Sequence, residues 1–208
     1  MPGILYVVDD NASLRTSIKQ LLEAAGYRVI TYASAQQLLD QRPYESKGCI
    51  LLDVRMPGLS GLELQRRLTE LGSTLPIIFL TGYPDTSITV KAVKAGADDF
   101  FTKPVRAEEL VTAVQSAIAR HKTIRALNGE VEALRARLST LTPRQRQVFE
   151  IIVRGKTNKH AARELGSTER TIKAHRHAIM EKMNIQSLAQ LVVIAERLGV
   201  LAQACPTP

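Results

Sequence analysis

Tryptophan is absent from the 208 residues, and aromatic residues of all kinds make up only 4% of them. Past residue 121 the single aromatic is Phe149, which disfavours recognition of RNA or single strands by stacking bases on rings. A helix lying on a membrane surface wants Trp or Phe beside its basic face, and residues 158–183 hold neither. Cysteine occurs twice, at Cys49 inside an apolar run and at Cys205 near the C-terminus. That spacing fits neither a metal site nor a disulfide framework, so a reducing cytosol is the expected compartment. No apolar run approaches the ~18 residues of a membrane span, and Ile4 to Val8 ends at Asp9 and Asp10 too early for a signal-peptide core. A soluble, cytoplasmic protein with no membrane partner is expected, and no internal repeat or low-complexity run complicates the reading.

Negative charge is scarce in one part only. Residues 1–120 hold 13 Lys/Arg and 13 Asp/Glu, whereas residues 121–208 hold 15 and 7. The whole excess of the formal +8 charge therefore lies in the C-terminal part. Such a concentration marks a candidate partner of nucleic acid or of an anionic surface. The chain is also long enough for two ordinary domains of about 100–150 residues, and the neutral first part needs a separate role.

Short apolar runs punctuate that first part: ILYVV (4–8), RVITYA (28–33), CILLD (49–53), PIIFLT (76–81) and DFFT (99–102). These predict five strands. Between them, helices are expected near Ala12 to Ala25, Ala35 to Gln41, Gly61 to Leu71 and Thr86 to Ala95, with Gly26 and Gly96 at the ends of the first and fourth. Regular alternation of strand and helix predicts a parallel sheet covered on both faces. Ligands of such open sheets bind beyond the carboxyl ends of the strands, at the switch point of the winding.

The polar residues fall at those ends. Asp9 and Asp10 follow the first strand, Asp53 closes the third, Thr81 closes the fourth and Lys103 follows the fifth. Three carboxylates gathered in a partly dry cleft repel one another unless their pKa values rise or a cation joins them. Oxygen-only ligands favour a hard ion such as Mg²⁺. Screened in this way, Asp53 can act as a nucleophile toward a phosphoryl group, with Thr81 donating to one phosphoryl oxygen and Lys103 pairing with another. Taken singly, each residue has an innocent explanation, as helix cap, strand former or solvated lysine. It is their joint order along four strand ends that points to a site.

From about Ala107 to Leu138 an Ala-rich, charged stretch carries Leu110, Val114, Ala117, Leu127, Val131, Leu134 and Leu138 at three-and-four spacing. One long helix or two are expected, serving as a solvated spacer or as a short dimerising coil. Asn128-Gly129 interrupts the pattern and favours the spacer. Thr142-Pro143-Arg144-Gln145 then reads as a helix start. Three further helices are expected at about Lys159 to Leu165, Glu169 to Met183 and Leu188 to Leu198. The second and third of these four helices, joined through Gly166 and Thr168, form a helix-turn-helix pattern. On the longer helix Ile172, His175, Ile179 and Met183 share one face, while Arg170, Lys173, Ala174 and His177 share the opposite one. A small Ala174 among cations suits insertion into a major groove.

VVDD, LLDVRMPGLSGLEL, FLTG and DDFFTKP together resemble the receiver domain of two-component response regulators, over about residues 1–120. LTPRQRQVFEIIVRGKTNKHAARELGSTERTIKAHRHAIMEKMNIQS resembles the four-helix DNA-binding domain of the LuxR/NarL type, over about 141–200. The whole-chain arrangement, with DVRMP and RHxIM, resembles the FixJ/StyR-like subgroup. The resemblance implies that Asp53 accepts a phosphoryl group from a sensor histidine kinase, and that Asp9, Asp10, Asp53 and the backbone carbonyl of Arg55 hold Mg²⁺. It makes Thr81 and Phe100 a switch pair, gives Lys103 its place beside the phosphoryl group and implies a cis bond between Lys103 and Pro104. Lys173, Ala174 and His177 would face bases, and Thr171, Arg176, Asn158 and Lys159 would touch phosphates. Ala161 and Ser167 depart from the larger aliphatics usual in the turn.

The expectation is therefore a five-stranded, doubly wound, flavodoxin-like α/β receiver domain (1–120), a helical linker (121–140) and a small all-α helix-turn-helix domain (141–208). It would be a transcription factor that homodimerises on phosphorylation and binds double-stranded promoter DNA, with RNA polymerase a candidate further partner. Arg55 stands where dehalogenase-like phosphatases carry a second Asp, so an enzyme is not expected beyond slow self-dephosphorylation. Two rivals remain: a DNA-binding regulator indifferent to phosphate whose receiver is a fixed dimer scaffold, and a phosphate-relay intermediate acting on proteins.

Overall fold

Continuous burial along β1 (Ile4–Val8) and β3 (Gly48–Asp53) follows from having both faces of the sheet covered. The other strands are β2 (Arg28–Tyr32), β4 (Ile77–Thr81) and β5 (Asp99–Thr102), all parallel in the order β2-β1-β3-β4-β5. Successive side chains of a strand point to opposite faces. Tyr6, Val8, Ile50, Leu52 and Phe79 therefore enter one core with Leu38 of α2 (Ala35–Gln41) and Leu64 and Leu68 of α3 (Gly61–Glu70). Leu5, Val7, Cys49, Leu51, Ile78 and Leu80 enter the other core, with Ile18 and Leu22 of α1 (Ala12–Ala24) and Leu110, Val114 and Ala117 of α4 (Ala107–Ser139). Each such Leu or Ile contributes roughly 1.5–3 kcal/mol when withdrawn from water.

The structure is a computed structural model that describes residues 3–41, 48–82, 90, 92 and 94–201. The helix expected near residues 86–95 lies largely outside the described residues, and Cys205 lies outside them altogether. By its contacts the chain divides into two compact units, Met1–Ile124 and Arg125–Pro208.

Of the two alternatives, one long helix or two, the structure has the first: α4 runs through Asn128-Gly129 as one α-helix of 33 residues. A helical glycine is disfavoured by about 1 kcal/mol relative to alanine, less than long flanking helical segments supply. Four helices follow in the second unit: α5 (Pro143–Val153), α6 (Asn158–Glu164), α7 (Glu169–Met183) and α8 (Leu188–Arg197). Thr142 and Gln145 form a capping box with Pro143 at the first helical position, as the sequence predicts. Val148, Phe149, Ile152, Ala161, Ile172, Ile179, Met183 and Leu191 fill the core, and Leu134 and Leu138 of α4 pack against it. His175 shares the inner face of α7 only in part: it is half-buried, whereas Ile172, Ile179 and Met183 are sealed. No helix among the described residues is long and apolar enough to cross a membrane.

Candidate functional site

β1 lies between β2 and β3, so the winding reverses direction beside it and a crevice opens at the carboxyl ends of β1 and β3. Asp9 and Asp53 stand at that crevice, both buried, with Asp10 exposed beside them. One carboxylate oxygen from each of the three lies within 4.8 Å of the others. Lys103 reaches across from the end of β5, its Nζ donating to Asp9 Oδ2 at 2.5 Å and to Asp53 Oδ1 at 2.8 Å. Residues separated by up to 94 positions thus meet because the ends of β1, β3 and β5 share one edge.

Backbone and neighbours hold these groups in place. The Asn11 amide donates to Asp9 Oδ1 at 2.8 Å, and Arg15 Nη1 donates to the Asp9 carbonyl at 2.6 Å. Asp53 sits at the C-terminal end of β3, after which the Val54 amide donates to the Leu80 carbonyl at 3.2 Å. The start of α3 then comes so close that a Cβ on Gly61 would lie 2.1 Å from the Asp53 carbonyl oxygen. Glycine is required there. The Lys103 amide donates to the Thr81 carbonyl at 2.6 Å, and the Lys103–Pro104 bond is cis.

Electrostatics follow from this crowding. Burial pushes the Asp53 carboxyl up from its ordinary range; the hydrogen bond and charge of Lys103 oppose the rise, and the charges of Asp9 and Asp10 add to it. Burial pulls the Lys103 ammonium down, but its hydrogen bonds to Asp53 and Asp9 outweigh that and its pKa is raised. The edge therefore holds more negative charge than one ammonium satisfies. An all-oxygen donor set of this kind suits a hard divalent cation.

Thr81 closes β4 and is buried, and its register partner on β5 is Thr102. Phe100 pairs in register with Phe79, their rings 6.2 Å apart and tilted by 40°, and is half-buried against the first core. Arg55 lies exposed in the loop after β3. The site thus brings together Asp9, Asp10, Asp53 and Lys103, with Thr81 and Phe100 on the two adjoining strands. Sequence reasoning missed Asn11, Arg15 and Gly61. Asn before a helical run was a readable cap signal, and the Gly in GLSG was the trace of the close approach.

In the second unit α6 and α7 are joined by a turn in which Gly166 has φ of 59° and the Ser167 amide donates to the Ala162 carbonyl at 2.8 Å. The Thr168 side chain caps α7 by accepting from the Thr171 amide at 3.2 Å. Arg144 donates to the Leu165 carbonyl, tying α5 to that turn. Arg170, Thr171, Lys173, Ala174 and His177 are exposed on α7, as is Lys159 on α6. Arg176 and Asn158 are half-buried and joined to each other, Nη1 to Oδ1 at 2.6 Å. Ala161 lies within α6 and is fully buried.

Comparison with known proteins bears on both units. Residues 5–115 match the response regulator receiver domain, and residues 139–195 match the bacterial regulatory proteins of the luxR family. The sequence is similar to the response regulator protein TodT of Pseudomonas putida, 42% identical over 196 residues, which is 94% of this chain and 86% of that one. It is similar to the transcriptional regulatory protein FixJ of Bradyrhizobium diazoefficiens, 41% identical over 199 residues, 96% of this chain and 97% of that one. Among solved structures it is similar to the response regulator StyR, with a TM-score of 0.85 and 41% identity over 95% of this chain and 100% of that one.

Proposed function

The chain belongs to the response regulators that join a receiver to a LuxR-type DNA-binding domain, and on that premise we propose that Asp53 is the phosphoacceptor of a sensor histidine kinase. The observation that carries the reading is the meeting of Asp9, Asp10, Asp53 and Lys103 at one sheet edge. An Asp53 carboxylate oxygen forms a bond to phosphorus as the donor's P–N bond breaks, and the imidazole leaves with the electron pair. Asp9, Asp10 and Asp53, with the backbone carbonyl of Arg55, would hold Mg²⁺, which supplies charge to offset the crowded carboxylates and the phosphoryl oxygens.

Once modified, Asp53 carries roughly 1.5–2 negative charges, by analogy with other phosphorylated side chains. Lys103 exchanges part of its pairing with Asp53 for a phosphoryl oxygen. Thr81 donates to another, and Phe100, already leaning on Phe79, turns further inward. The altered face of β5 then favours a homodimer. Two copies of α7 bind half-sites about one helical turn apart on promoter DNA, placed to engage RNA polymerase. Lys173, Ala174 and His177 face bases; Thr171, Arg176, Asn158 and Lys159 touch phosphates, Asn158 also bracing Arg176. Two linked weak modules gain effective concentration, which is how dimerisation raises affinity.

Labelling with a small phosphodonor and Mg²⁺, followed by site mapping by mass spectrometry and by a duplex-binding titration, tests this. Label on Asp53, a shift to dimer and tighter binding are expected. Label elsewhere, or a DNA affinity that Asp53→Asn leaves unchanged with donor present, would refute it.

A further inference from the structure

Three helix ends meet within the second unit, joined by side chains far apart in sequence. Arg137, in the last turns of α4, donates from Nη1 to the carbonyl of Met183 at 3.3 Å, and Met183 is the last residue of α7. Lys182, its neighbour on α7, donates from Nζ to the Thr140 carbonyl at 2.8 Å and to Gln145 Oε1 at 2.9 Å. Thr140 follows the last residue of α4, and Gln145 Oε1 also accepts from the Thr142 amide at 3.0 Å to start α5.

Each contact answers a need that helix geometry creates. The final carbonyls of a helix have no partner within it, and a cation near them is favoured by the helix dipole. Here α4 supplies the cation for the end of α7, and α7 supplies the cation for the end of α4. Behind this exchange Leu134, Leu138 and Leu141 pack with Ile179 and Met183 in one core. The luxR-family match begins at residue 139, so Leu134, Arg137 and Leu138 lie ahead of it, on a helix that starts at Ala107.

We propose that Arg137 and Lys182 are positioning residues for DNA recognition. They form a reciprocal clasp that fixes the C-terminal end of α7 to the end of α4, so that α7 follows any movement of α4. The proposal rests on the reading of α7 as the helix that meets DNA. Arg137 and Lys182 are exposed, while Met183 and Gln145, which accept from them, are buried, so each side chain also contributes to stability as a hydrogen-bond donor. A role confined to stability would lower binding to every duplex alike, whereas a helix tilted in a groove loses several base contacts together.

The test uses the full chain with two duplexes, one selected from a random-sequence pool by the unmodified protein and one scrambled. Arg137→Gln and Lys182→Gln are expected to lower affinity for the selected duplex roughly three- to tenfold, the scale of one ordinary hydrogen bond. Arg135→Gln removes the same charge from α4 at a residue that pairs within the helix with Glu132, and should lower affinity for both duplexes slightly and equally. Arg137→Lys, which keeps a charged donor, should recover most of the loss. The clasp is refuted if the selected-to-scrambled ratio in Arg137→Gln and Lys182→Gln equals that in Arg135→Gln. It is also refuted if affinity for both duplexes falls together with the melting temperature of the second unit. Selected-duplex binding left intact by Lys173→Ala would instead sink the reading of α7.

Discussion

At the carboxyl edge of the sheet, Asp9 and Asp53 are withdrawn from water and share a single ammonium. Along α7, Arg170, Lys173 and His177 stand exposed in solvent. The difference decides what each region can do. Charges about 4 Å apart interact by roughly 1 kcal/mol in water and roughly 4 kcal/mol in a partly protein-like medium, so one added phosphoryl group upsets every pairing at the sheet edge. On the reading proposed above, exposed Arg170 and Lys173 act instead by summation, each contributing a little to a polyanion held at several points. On the proposed reading, one region responds steeply to a single event and the other grades its response over many contacts.

The sharpest way to break this contrast is Asp53→Asn. Labelling by a phosphodonor should fall to background, the largest effect expected anywhere in the chain, yet the receiver unit should become more stable. Burial raises the Asp53 pKa, so the folded state holds that proton more tightly than the unfolded chain. Stability therefore declines as pH climbs from the ordinary carboxylate range through the raised value, and the penalty persists at neutral pH. Asn escapes it. Melting near pH 7 should rise by roughly 2–4 °C, with the two proteins converging in acid. A variant melting lower than the parent at neutral pH would show that burying the ionised Asp53 carries no net penalty. Adding Mg²⁺ should raise the melting point of the parent, because a ligand that binds only the folded state stabilises it.

Gly61→Ala probes the same edge without touching a charge. Its methyl would meet the Asp53 carbonyl oxygen at 2.1 Å, forcing α3 away from β3 at a cost of about 1–3 kcal/mol. Thermal melting should drop and labelling slow together. Unchanged melting would mean that the close approach is not needed to hold Asp53 at the strand tip.

How much of this was readable beforehand differs between the two regions for physical reasons. The strand ends were legible because apolar runs such as CILLD stop abruptly at an acid, and burial on both faces leaves no alternation to confuse the pattern. The capping box at Thr142 and Gln145 was legible because it is local. Lys103 could be assigned to the edge by its place after β5, but its double hydrogen bond to Asp9 and Asp53 depends on strand order, which a linear pattern does not carry. Gly61 and the Arg137–Met183 contact, 46 residues apart, depend on approaches that only the folded chain creates. Asn128-Gly129 left one helix or two open, because a local preference against helix is weak and only the folded chain shows it overridden along α4.

On α7 the expected effects shrink and become selective. Lys173→Ala, at an exposed position of the face proposed to meet bases, should reduce binding to a selected duplex by about 1–3 kcal/mol while relaxing preference at one or two base pairs. Competition titrations against single-substitution duplexes read this directly. A loss equal for every sequence would reassign Lys173 from bases to phosphates.

Lys159→Ala should have the smallest effect and the most informative form. Lys159 is exposed in the first turn of α6, where the proposed contact is one phosphate. Neutralising one phosphate contact lowers the slope of log affinity against log salt by about 0.9. Affinity should fall a few-fold at low salt, equally for selected and scrambled duplexes, and the difference should vanish as salt rises. The sheet edge offers the contrast: its buried pairs are poorly screened, so the gap in melting temperature between Asp53→Asn and the parent should persist across the same salt series. If the Asp53 gap collapsed with salt while the Lys159 loss did not, the two regions would have exchanged roles, and the division between a buried switch and a solvated reading face would fail.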